Sequence, residues 1–315
     1  MMKSTRRAIC AGVMLAATLG AAGLGLAQDP KPGPPKNASQ APPIPLRGLD
    51  FLAPSPKEAP LVYAESDWRT PDPDNLLVID TNKGRIIVEL APEIAPESVA
   101  RVKALARQHF YDGQEFFRVI DDFMAQTGDP KNTGEGGSTL PDLKGEFTFR
   151  RDHNMRFVPV GQPAEGAQGF IGVMPVESQP DVIMAMTADG KATAWPLFCK
   201  GVAGMARSAS PDSGNSQFFL MREIYPALEK RYTGFGRVIV GDDVVKSLKV
   251  GEPVAPPLDK MTRVRLANDL PPDEHLSVRV LDSASPGFKT LLDRARADKV
   301  GDFSICDVQF PSQVR

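Results

Sequence analysis

Residues 116–129 read FFRVIDDFMAQTGD, and residues 204–219 read GMARSASPDSGNSQFF. Each stretch places aromatic and thioether side chains at alternating positions, together with an Arg or a Gln. A repeat of two residues is typical of a β-strand that buries one face. The two stretches therefore predict strands of an antiparallel sheet.

Other short apolar runs extend this pattern on both sides. Leu76–Asp80 and Arg85–Leu90 flank Asn82-Lys83-Gly84, a composition typical of a hairpin turn. A helix follows, with Pro96 in its first turn. Its apolar face consists of Val99, Val102, Leu105 and Ala106. Further strand-like runs are Gly234–Val240 and Met261–Leu266. We expect a mainly β fold, a closed antiparallel β-barrel capped by helices.

Two segments lie outside this rhythm of short strands. Residues 151–200 are too apolar for a disordered linker and too irregular for a single element. Residues 271–315 contain a helix capped by Ser285 and ended by Gly301, and a short strand around Phe303–Val308 is expected after it. The buried face of this helix is predicted to be Phe288, Leu291, Leu292 and Ala295.

The amino terminus has the pattern of a signal peptide. Lys3, Arg6 and Arg7 precede the charge-free stretch Ala8–Ala27, which ends in small residues, so we expect residues 1–27 to be removed by cleavage after Ala27. A transmembrane anchor is the alternative, but the stretch is rich in Ala and Gly and no basic flank follows it. The prediction is a periplasmic or secreted protein with no membrane insertion after cleavage. The route of export stays open.

Proline is concentrated in the segment that follows. Residues 28–60 hold ten of the 30 prolines of this 315-residue chain. Because proline fixes its backbone and lacks an N–H, we expect an extended Pro-rich tether over residues 28–70. A role as a docking ligand for another protein is the less favoured alternative.

Charge and motif content exclude several functions. Cleavage after Ala27 would leave 34 basic and 39 acidic residues, a net charge of −5, which argues against a nucleic-acid partner. The three histidines have no metal-binding spacing, and no phosphate loop, dinucleotide motif or nucleophile elbow is present. We therefore expect no cofactor and no metal. Cys199 and Cys306 either form a disulfide in an oxidising compartment or pack as buried thiols.

The two stretches quoted first also suggest a binding site. If their polar and aromatic side chains point to one side, they form a shallow apolar pocket edged by one guanidinium and two amides. The residues concerned are Arg118, Phe123, Met124, Gln126, Gln217 and Phe219. Such a pocket fits a proline ring joined to a polar peptide. The alternative is that the apolar members are core residues and Arg118 is a surface residue with a packed stem.

The sequence resembles the cyclophilin family of peptidyl-prolyl cis-trans isomerases. The hallmarks of that family, F-x-R-V-x-x-x-F-M-x-Q-x-G-D and a later M-A-x…S-Q-F-F, occur here in the family's order. The resemblance runs from about Leu76 to Leu266. It implies a cyclophilin-like isomerase domain over residues 71–270, with residues 151–200 as an insertion and residues 271–315 as an α/β extension.

The resemblance assigns roles by position. Arg118 matches the catalytic arginine of the family. The wall of the proline pocket is matched by Phe123, Met124, Phe219 and Leu228, and the residues that hold the substrate backbone are matched by Gln126, Ala206 and Gln217. Tyr232 stands where eukaryotic members have a histidine. Ala227 stands where they have a tryptophan, which implies weak cyclosporin binding.

The implied activity is rotation about X-Pro bonds in exported proteins, by a non-covalent mechanism in which the arginine hydrogen-bonds the prolyl nitrogen. The expected partners are proline-containing polypeptides and folding client proteins, and we expect a monomer. The alternative is a client-binding module or chaperone with weak or no isomerase activity. A further hypothesis is that the insertion packs beside the pocket, held by the carboxy-terminal extension through Cys199 and Cys306, and selects clients.

Overall fold

A computed structural model describes residues 60–161, 166–299 and 301–315. The predicted signal peptide and the predicted tether before residue 60 lie outside the described residues. The strands, in chain order, are β1 (Trp68–Arg69), β2 (Leu76–Thr81), β3 (Gly84–Leu90), β4 (Arg118–Val119), β5 (Met124–Thr127), β6 (Phe149–Arg151), β7 (Phe157–Gly161), β8 (Ala167–Ile171), β9 (Met174–Ser178), β10 (Ala192–Pro196), β11 (Val202–Met205), β12 (Phe218–Met221), β13 (Gly234–Val240), β14 (Met261–Leu266), β15 (Val278–Leu281) and β16 (Ser312–Val314). The α-helices are α1 (Pro96–Arg107), α2 (Asp242–Ser247) and α3 (Pro286–Asp298).

An antiparallel sheet of eight strands forms the centre of the fold. Its order is β14-β2-β3-β13-β11-β12-β5-β4. The predicted hairpin is confirmed, because β2 pairs with β3 up to the Thr81–Gly84 pair. The two edges of the sheet meet through isolated bridges rather than through a continuous ladder. One joins Glu115 and Lys260, which precede β4 and β14, and the other joins Val119 of β4 to Gly251. The expected mainly β architecture is confirmed, but the sheet is a curled, partial barrel rather than the expected closed one, because only isolated bridges join its edges.

Helix α1 covers one opening of this sheet, as its apolar stripe predicts. Val99 and Val102 are 2% and 0% exposed, and both belong to the cluster that fills the sheet. The cluster also contains Phe116, Phe218 and Phe235 from the sheet side. The apolar residues that recur with the helical period of 3.6 therefore lie on the side of α1 that packs against the apolar face of the sheet.

Five strands, β6 to β10, form a second antiparallel sheet in the region that sequence analysis predicted only as an irregular segment. Its strand order is β6-β10-β9-β8-β7. Phe170, Val176 and Trp195 of this sheet join Phe219 of the eight-stranded sheet in one buried cluster. The second sheet is therefore packed directly onto the first, next to the strand that carries Phe219.

The carboxy-terminal segment contributes a third sheet, of order β1-β15-β16. Its first strand lies inside the predicted tether, so the boundary at residue 70 is too late. The physical reason is that Arg69 makes two hydrogen bonds of 2.7 and 2.9 Å to Glu89, which fixes the chain from that point. The remaining described part of the tether, up to residue 67, ends in a short 3₁₀ helix at Glu65–Asp67.

Helix α3 begins where predicted, and the hydroxyl of Ser285 accepts a hydrogen bond from the Phe288 backbone N–H. The strand expected around Phe303–Val308 is wrong. A 3₁₀ helix occupies Ile305–Asp307, because the Ser304 and Asp307 side chains bind the backbone locally and end any extended run. The last strand is instead β16.

Two buried connections join the carboxy-terminal segment to the rest of the protein. Cys199 and Cys306 form a disulfide bond across a separation of 107 residues. The fully buried Arg237 of β13 donates hydrogen bonds to the carbonyls of Val173 and Val308, at 3.1 and 3.0 Å. Burial lowers the pKa of Arg237 to about 10. Its guanidinium still satisfies one carbonyl from each of the two outer segments.

Candidate active site

A pocket of about 200 Å³ opens on the eight-stranded sheet, between β4, β5, β11, β12 and the loop at residues 225–232. Its lining consists of Arg118, Phe123, Met124, Gln126, Ala206, Arg207, Phe219, Leu228 and Tyr232. Eight of the nine predicted site residues are therefore brought together. The ninth, Gln217, lines an adjacent cavity of about 480 Å³ that shares Gln126, Ala206 and Arg207 with the pocket.

Strand register explains why residues so distant in sequence meet here. Arg118 pairs with Gln126 across β4 and β5, and Gln126 pairs with Phe219 across β5 and β12. Phe219 pairs in turn with Gly204 of β11. Residues directly opposite in neighbouring strands share a face, so these side chains point to one side of the sheet.

The glycine at position 204 gives Phe219 its place. A Cβ atom at Gly204 would lie 2.4 Å from the Phe219 ring, which is far inside van der Waals contact. The absence of a side chain leaves room for the Phe219 ring beside this strand. Gly204 therefore forms part of the pocket without lining it.

The walls of the pocket are both core and surface. Met124, Phe219 and Leu228 are 1%, 4% and 6% exposed and belong to the cluster shared by the two larger sheets. The Phe219 and Tyr232 rings meet edge to face, with centroids 6.0 Å apart. The core interpretation and the pocket interpretation of these residues are thus compatible, because buried side chains turn one edge to the cavity.

Arg118 is held from two sides rather than lying free on the surface. Its Nη1 is 3.4 Å from Oε1 of Gln126, and its Nε and Nη2 are each 2.6 Å from Oε1 of Glu252. The guanidinium carbon lies 5.9 Å from the centre of the Phe123 ring. A planar cation therefore stands at the edge of a pocket with aromatic and aliphatic walls.

A chain of amides fixes the group that faces Arg118. Nε2 of Gln217 donates to the carbonyls of Gly134 and Gly136, at 2.9 and 2.7 Å. Its Oε1 accepts from Nε2 of Gln126 at 2.9 Å. Because Gln126 uses its amide nitrogen in this way, its oxygen is the atom left to face Arg118.

The loop that begins this chain is organised by one buried carboxylate. Asp129 accepts hydrogen bonds from the backbone N–H groups of Lys131, Thr133, Gly134 and Gly136. Burial alone would raise the pKa of Asp129, but these four donors outweigh it and lower the pKa. The carboxylate therefore stays charged and holds the two carbonyls toward Gln217.

Sequence reasoning missed two charged residues at this site. Arg207 lines both cavities, and its guanidinium carbon lies 4.3 Å from the centre of the Tyr232 ring. Its position beside Ala206 in the second motif was a usable signal. Glu252 lies 134 residues from Arg118, in the proline-rich segment 251–257, and no local pattern marks it as a partner of Arg118.

Ala227, which stands where eukaryotic members have a tryptophan, is exposed. Tyr225 lies two residues earlier, and its ring centroid is 4.4 Å from that of Phe123. An aromatic ring from position 225 thus packs against Phe123.

No group of three or more His, Cys, Asp or Glu side chains that could hold a metal ion occurs among residues 60–315 outside the undescribed gaps. Over the same ranges, no helix has the length and apolar character needed to cross a membrane.

Comparison with known proteins gives a consistent result. The family model for cyclophilin type peptidyl-prolyl cis-trans isomerase/CLD matches residues 76–266. A probable peptidyl-prolyl cis-trans isomerase of Brucella suis biovar 1 is 34% identical over 191 residues, covering 57% of this chain and 74% of the relative. A putative peptidyl-prolyl cis-trans isomerase of Staphylococcus saprophyticus is 30% identical over 194 residues, covering 59% of this chain and 87% of the relative.

A solved structure is similar over a longer part of the chain. Cyclophilin AquaCyp293 from Hirschia baltica matches with a TM-score of 0.74 and 36% sequence identity, covering 80% of this chain and 98% of that chain. The matched family region contains all nine predicted site residues.

Proposed function

This chain belongs to the cyclophilin-type peptidyl-prolyl cis-trans isomerase family, and from that premise we propose that it accelerates rotation of X-Pro bonds in exported proteins through Arg118. Family membership makes the protein a rotamase. The mechanism, the site residues and the exported substrates are the parts that we propose. One observation carries the mechanism: a guanidinium fixed on two sides stands beside a pocket of about 200 Å³ whose walls include Phe123, Met124 and Phe219.

The chemistry follows from the peptide bond. Rotation about C–N faces a barrier of ~18–20 kcal/mol, because the nitrogen lone pair is delocalised into the carbonyl. In the twisted state the lone pair returns to the nitrogen, which then accepts a hydrogen bond better than the planar amide does. A donor at that nitrogen stabilises the twisted state more than either planar state.

The pocket supports both halves of this mechanism. Phe123, Met124 and Phe219 offer an apolar surface for a proline ring, and Arg118 offers N–H donors at its edge. The Gln126 amide and the neighbouring cavity are suited to the polar backbone on either side of the proline. No proton needs to move, so no general acid or base is required.

We assign the protein to the periplasm or to secretion on two grounds. Lys3, Arg6 and Arg7 followed by Ala8–Ala27 have the pattern of a signal peptide. The Cys199–Cys306 disulfide is of a kind that persists mainly in oxidising compartments. Uncatalysed X-Pro isomerisation takes tens to hundreds of seconds, so newly exported proteins are substrates that gain from catalysis.

The test compares wild-type protein with Arg118→Ala in a proline-isomerisation-limited peptide assay. We expect kcat/KM to fall at least 100-fold, which corresponds to about 2.7 kcal/mol of lost transition-state stabilisation. Arg150→Ala is the matched control, because Arg150 also pairs with a carboxylate and is 40% exposed but lies on β6. A kcat/KM for Arg118→Ala within twofold of wild type would rule out the mechanism.

A further inference from the structure

We propose that Glu252 is a positioning residue for the isomerase reaction, which holds the guanidinium of Arg118 in its working orientation. The proposal rests on the proposed role of Arg118. It concerns a carboxylate that no sequence motif marks and that does not line the pocket itself.

The contact geometry uses a defined edge of the guanidinium. Nε and Nη2 lie on the same side of the Arg118 guanidinium. Both are 2.6 Å from the same oxygen of Glu252. Nη1 faces Gln126 at 3.4 Å. A guanidinium has five N–H bonds, so two of them, one on each terminal nitrogen, remain for a substrate.

Backbone hydrogen bonds place Glu252 opposite Arg118. Gly251 and Val119 exchange two hydrogen bonds, of 2.8 and 2.9 Å, and the Val254 N–H donates to the Phe117 carbonyl at 2.9 Å. The residues before and after Glu252 are therefore hydrogen-bonded to the backbone on either side of Arg118. Gly251 permits this turn, because a Cβ atom there would lie 2.7 Å from Cα of Val254.

The ion pair between Arg118 and Glu252 contributes little to the stability of the folded protein. The side chains of Arg118 and Glu252 are 34% and 54% exposed, and exposed ion pairs contribute little to folding. Its effect is to restrict the rotamers of the Arg118 side chain before substrate binds. Without Glu252, Arg118 would lose rotamer freedom in every catalytic cycle, when it contacts the transition state. A restricted guanidinium acts on turnover rather than on the binding of the planar ground state.

The alternative, that Glu252 lowers the activity of Arg118, predicts the opposite change in kcat/KM. If the carboxylate competed with substrate for the guanidinium, its removal would free Arg118 and raise kcat/KM. If it positions the guanidinium, its removal lowers kcat. The two effects have opposite signs, so one set of variants separates them.

The experiment measures kcat and KM for a proline-containing peptide with wild-type protein, Glu252→Gln and Glu252→Ala. Glu65→Gln is the matched control, since Glu65 also pairs with an arginine, Arg279, and is exposed, but lies in the 3₁₀ helix before β1. Thermal unfolding of each variant checks that the fold is intact. An NMR spectrum of the Arg118 Nε–H reports whether the guanidinium is still held.

We expect kcat to fall about threefold for Glu252→Gln and about tenfold for Glu252→Ala, with KM changed less than twofold and Glu65→Gln like wild type. The Arg118 Nε–H signal should move or broaden in both Glu252 variants. A kcat for Glu252→Ala within twofold of wild type, or above it, would overturn the proposal. Arg118→Ala in the same assay separates the two claims: if it is inactive while Glu252→Ala is unchanged, only the positioning role fails.

Discussion

At the scale of single residues, the orientation of the Gln217 amide connects the loop at residues 134–136 to the guanidinium of Arg118. Nε2 of Gln217 is committed to two carbonyls and its Oε1 to Gln126. These contacts determine which group donates and which accepts in each hydrogen bond from the loop through Gln217 and Gln126 to Arg118. Gln217 therefore influences Arg118 through Gln126.

We therefore expect Gln217→Leu to lower kcat/KM about tenfold, or ~1.36 kcal/mol, because the Gln126 amide loses the partner that orients it. The isomerisation assay gives this value directly. Gln168→Leu is the control, since Gln168 also donates to a side-chain oxygen, that of Glu177, but lies on the second sheet. Equal activity of Gln217→Leu and wild type would show that the amide chain has no role in orientation.

Period-two alternation predicts that Arg118, Phe123, Met124, Gln126 and Phe219 share the pocket, whereas the predictions for Ala206, Leu228 and Tyr232 rest on the family resemblance. Gln217 shows the limit of that argument. Its predicted role in binding the substrate backbone stays a prediction, and the structure places it in the adjacent cavity, where its amide oxygen accepts a hydrogen bond from Gln126. Glu252 shows a second limit, because its partner lies 134 residues away and only the closing bridge between the sheet edges brings the two together.

At the scale of elements, the loop at residues 225–232 joins the pocket to the second sheet. Leu228 and Tyr232 of this loop line the pocket. Nζ of Lys230 lies 3.6 Å from the centre of the Trp195 ring on β10. Glu229 is partly buried between these contacts. Burial, and then the charge of Glu177 on β9, raise its pKa to about 7, against the opposing effects of Lys230 and the Phe198 backbone.

This shift has a definite sign for stability. In the unfolded chain the Glu229 carboxyl titrates near its ordinary value of 4.5, and in the folded protein it titrates near 7. Between those values the folded state holds a proton that the unfolded state has lost, so stability falls as pH rises through this window. Because the group is partly exposed, the effect is moderated by solvent screening.

We expect Glu229→Gln to remove this dependence. Urea unfolding at pH 5 and at pH 8 should show that the variant gains stability relative to wild type at pH 8 and not at pH 5. Glu274→Gln serves as a control with the opposite direction, because the hydrogen bond from Arg263 lowers the pKa of Glu274. The same pH dependence in wild type and Glu229→Gln would contradict the account of this loop.

Elements that depend on local patterns were predicted well. The β2–β3 hairpin and helices α1 and α3 each carry a turn composition, an apolar stripe or a cap that acts within a few residues. The second sheet could not be predicted in the same way, since its strands are ordered by pairing and by packing against the first sheet. The expected strand at Phe303–Val308 failed because side chains bind the backbone there.

At the scale of the whole molecule, the disulfide and Arg237 tie the carboxy-terminal segment to the isomerase domain. Cys199 and Cys306 are 0% and 8% exposed. The hypothesis that residues 151–200 pack beside the pocket agrees with the contact between Lys230 and Trp195. Selection of clients by this segment stays a prediction.

The disulfide should contribute strongly to stability, because it closes a loop of 107 residues. The chain-entropy argument assigns about 4.7 kcal/mol to a loop of roughly this length. We expect Cys199→Ala/Cys306→Ala to lower the free energy of unfolding in urea by several kcal/mol while the peptide isomerase activity persists at low temperature.

The bond itself is checked by alkylation of the unfolded protein without reductant, followed by mass analysis of peptides. Neither Cys199 nor Cys306 should be modified, and both should be modified after reduction. Modification of both cysteines before reduction would contradict the disulfide.

The central claim is that Arg118 catalyses rotation through the planar fork of its guanidinium. The most direct measurement is exchange NMR of a proline-containing peptide, which reports cis–trans interconversion without any coupled reaction, with wild-type protein and with Arg118→Lys. Lysine keeps the charge but lacks the fork. The account predicts enhanced exchange with wild-type protein and at least a 30-fold lower rate with Arg118→Lys. Equal exchange rates with the two proteins would contradict it.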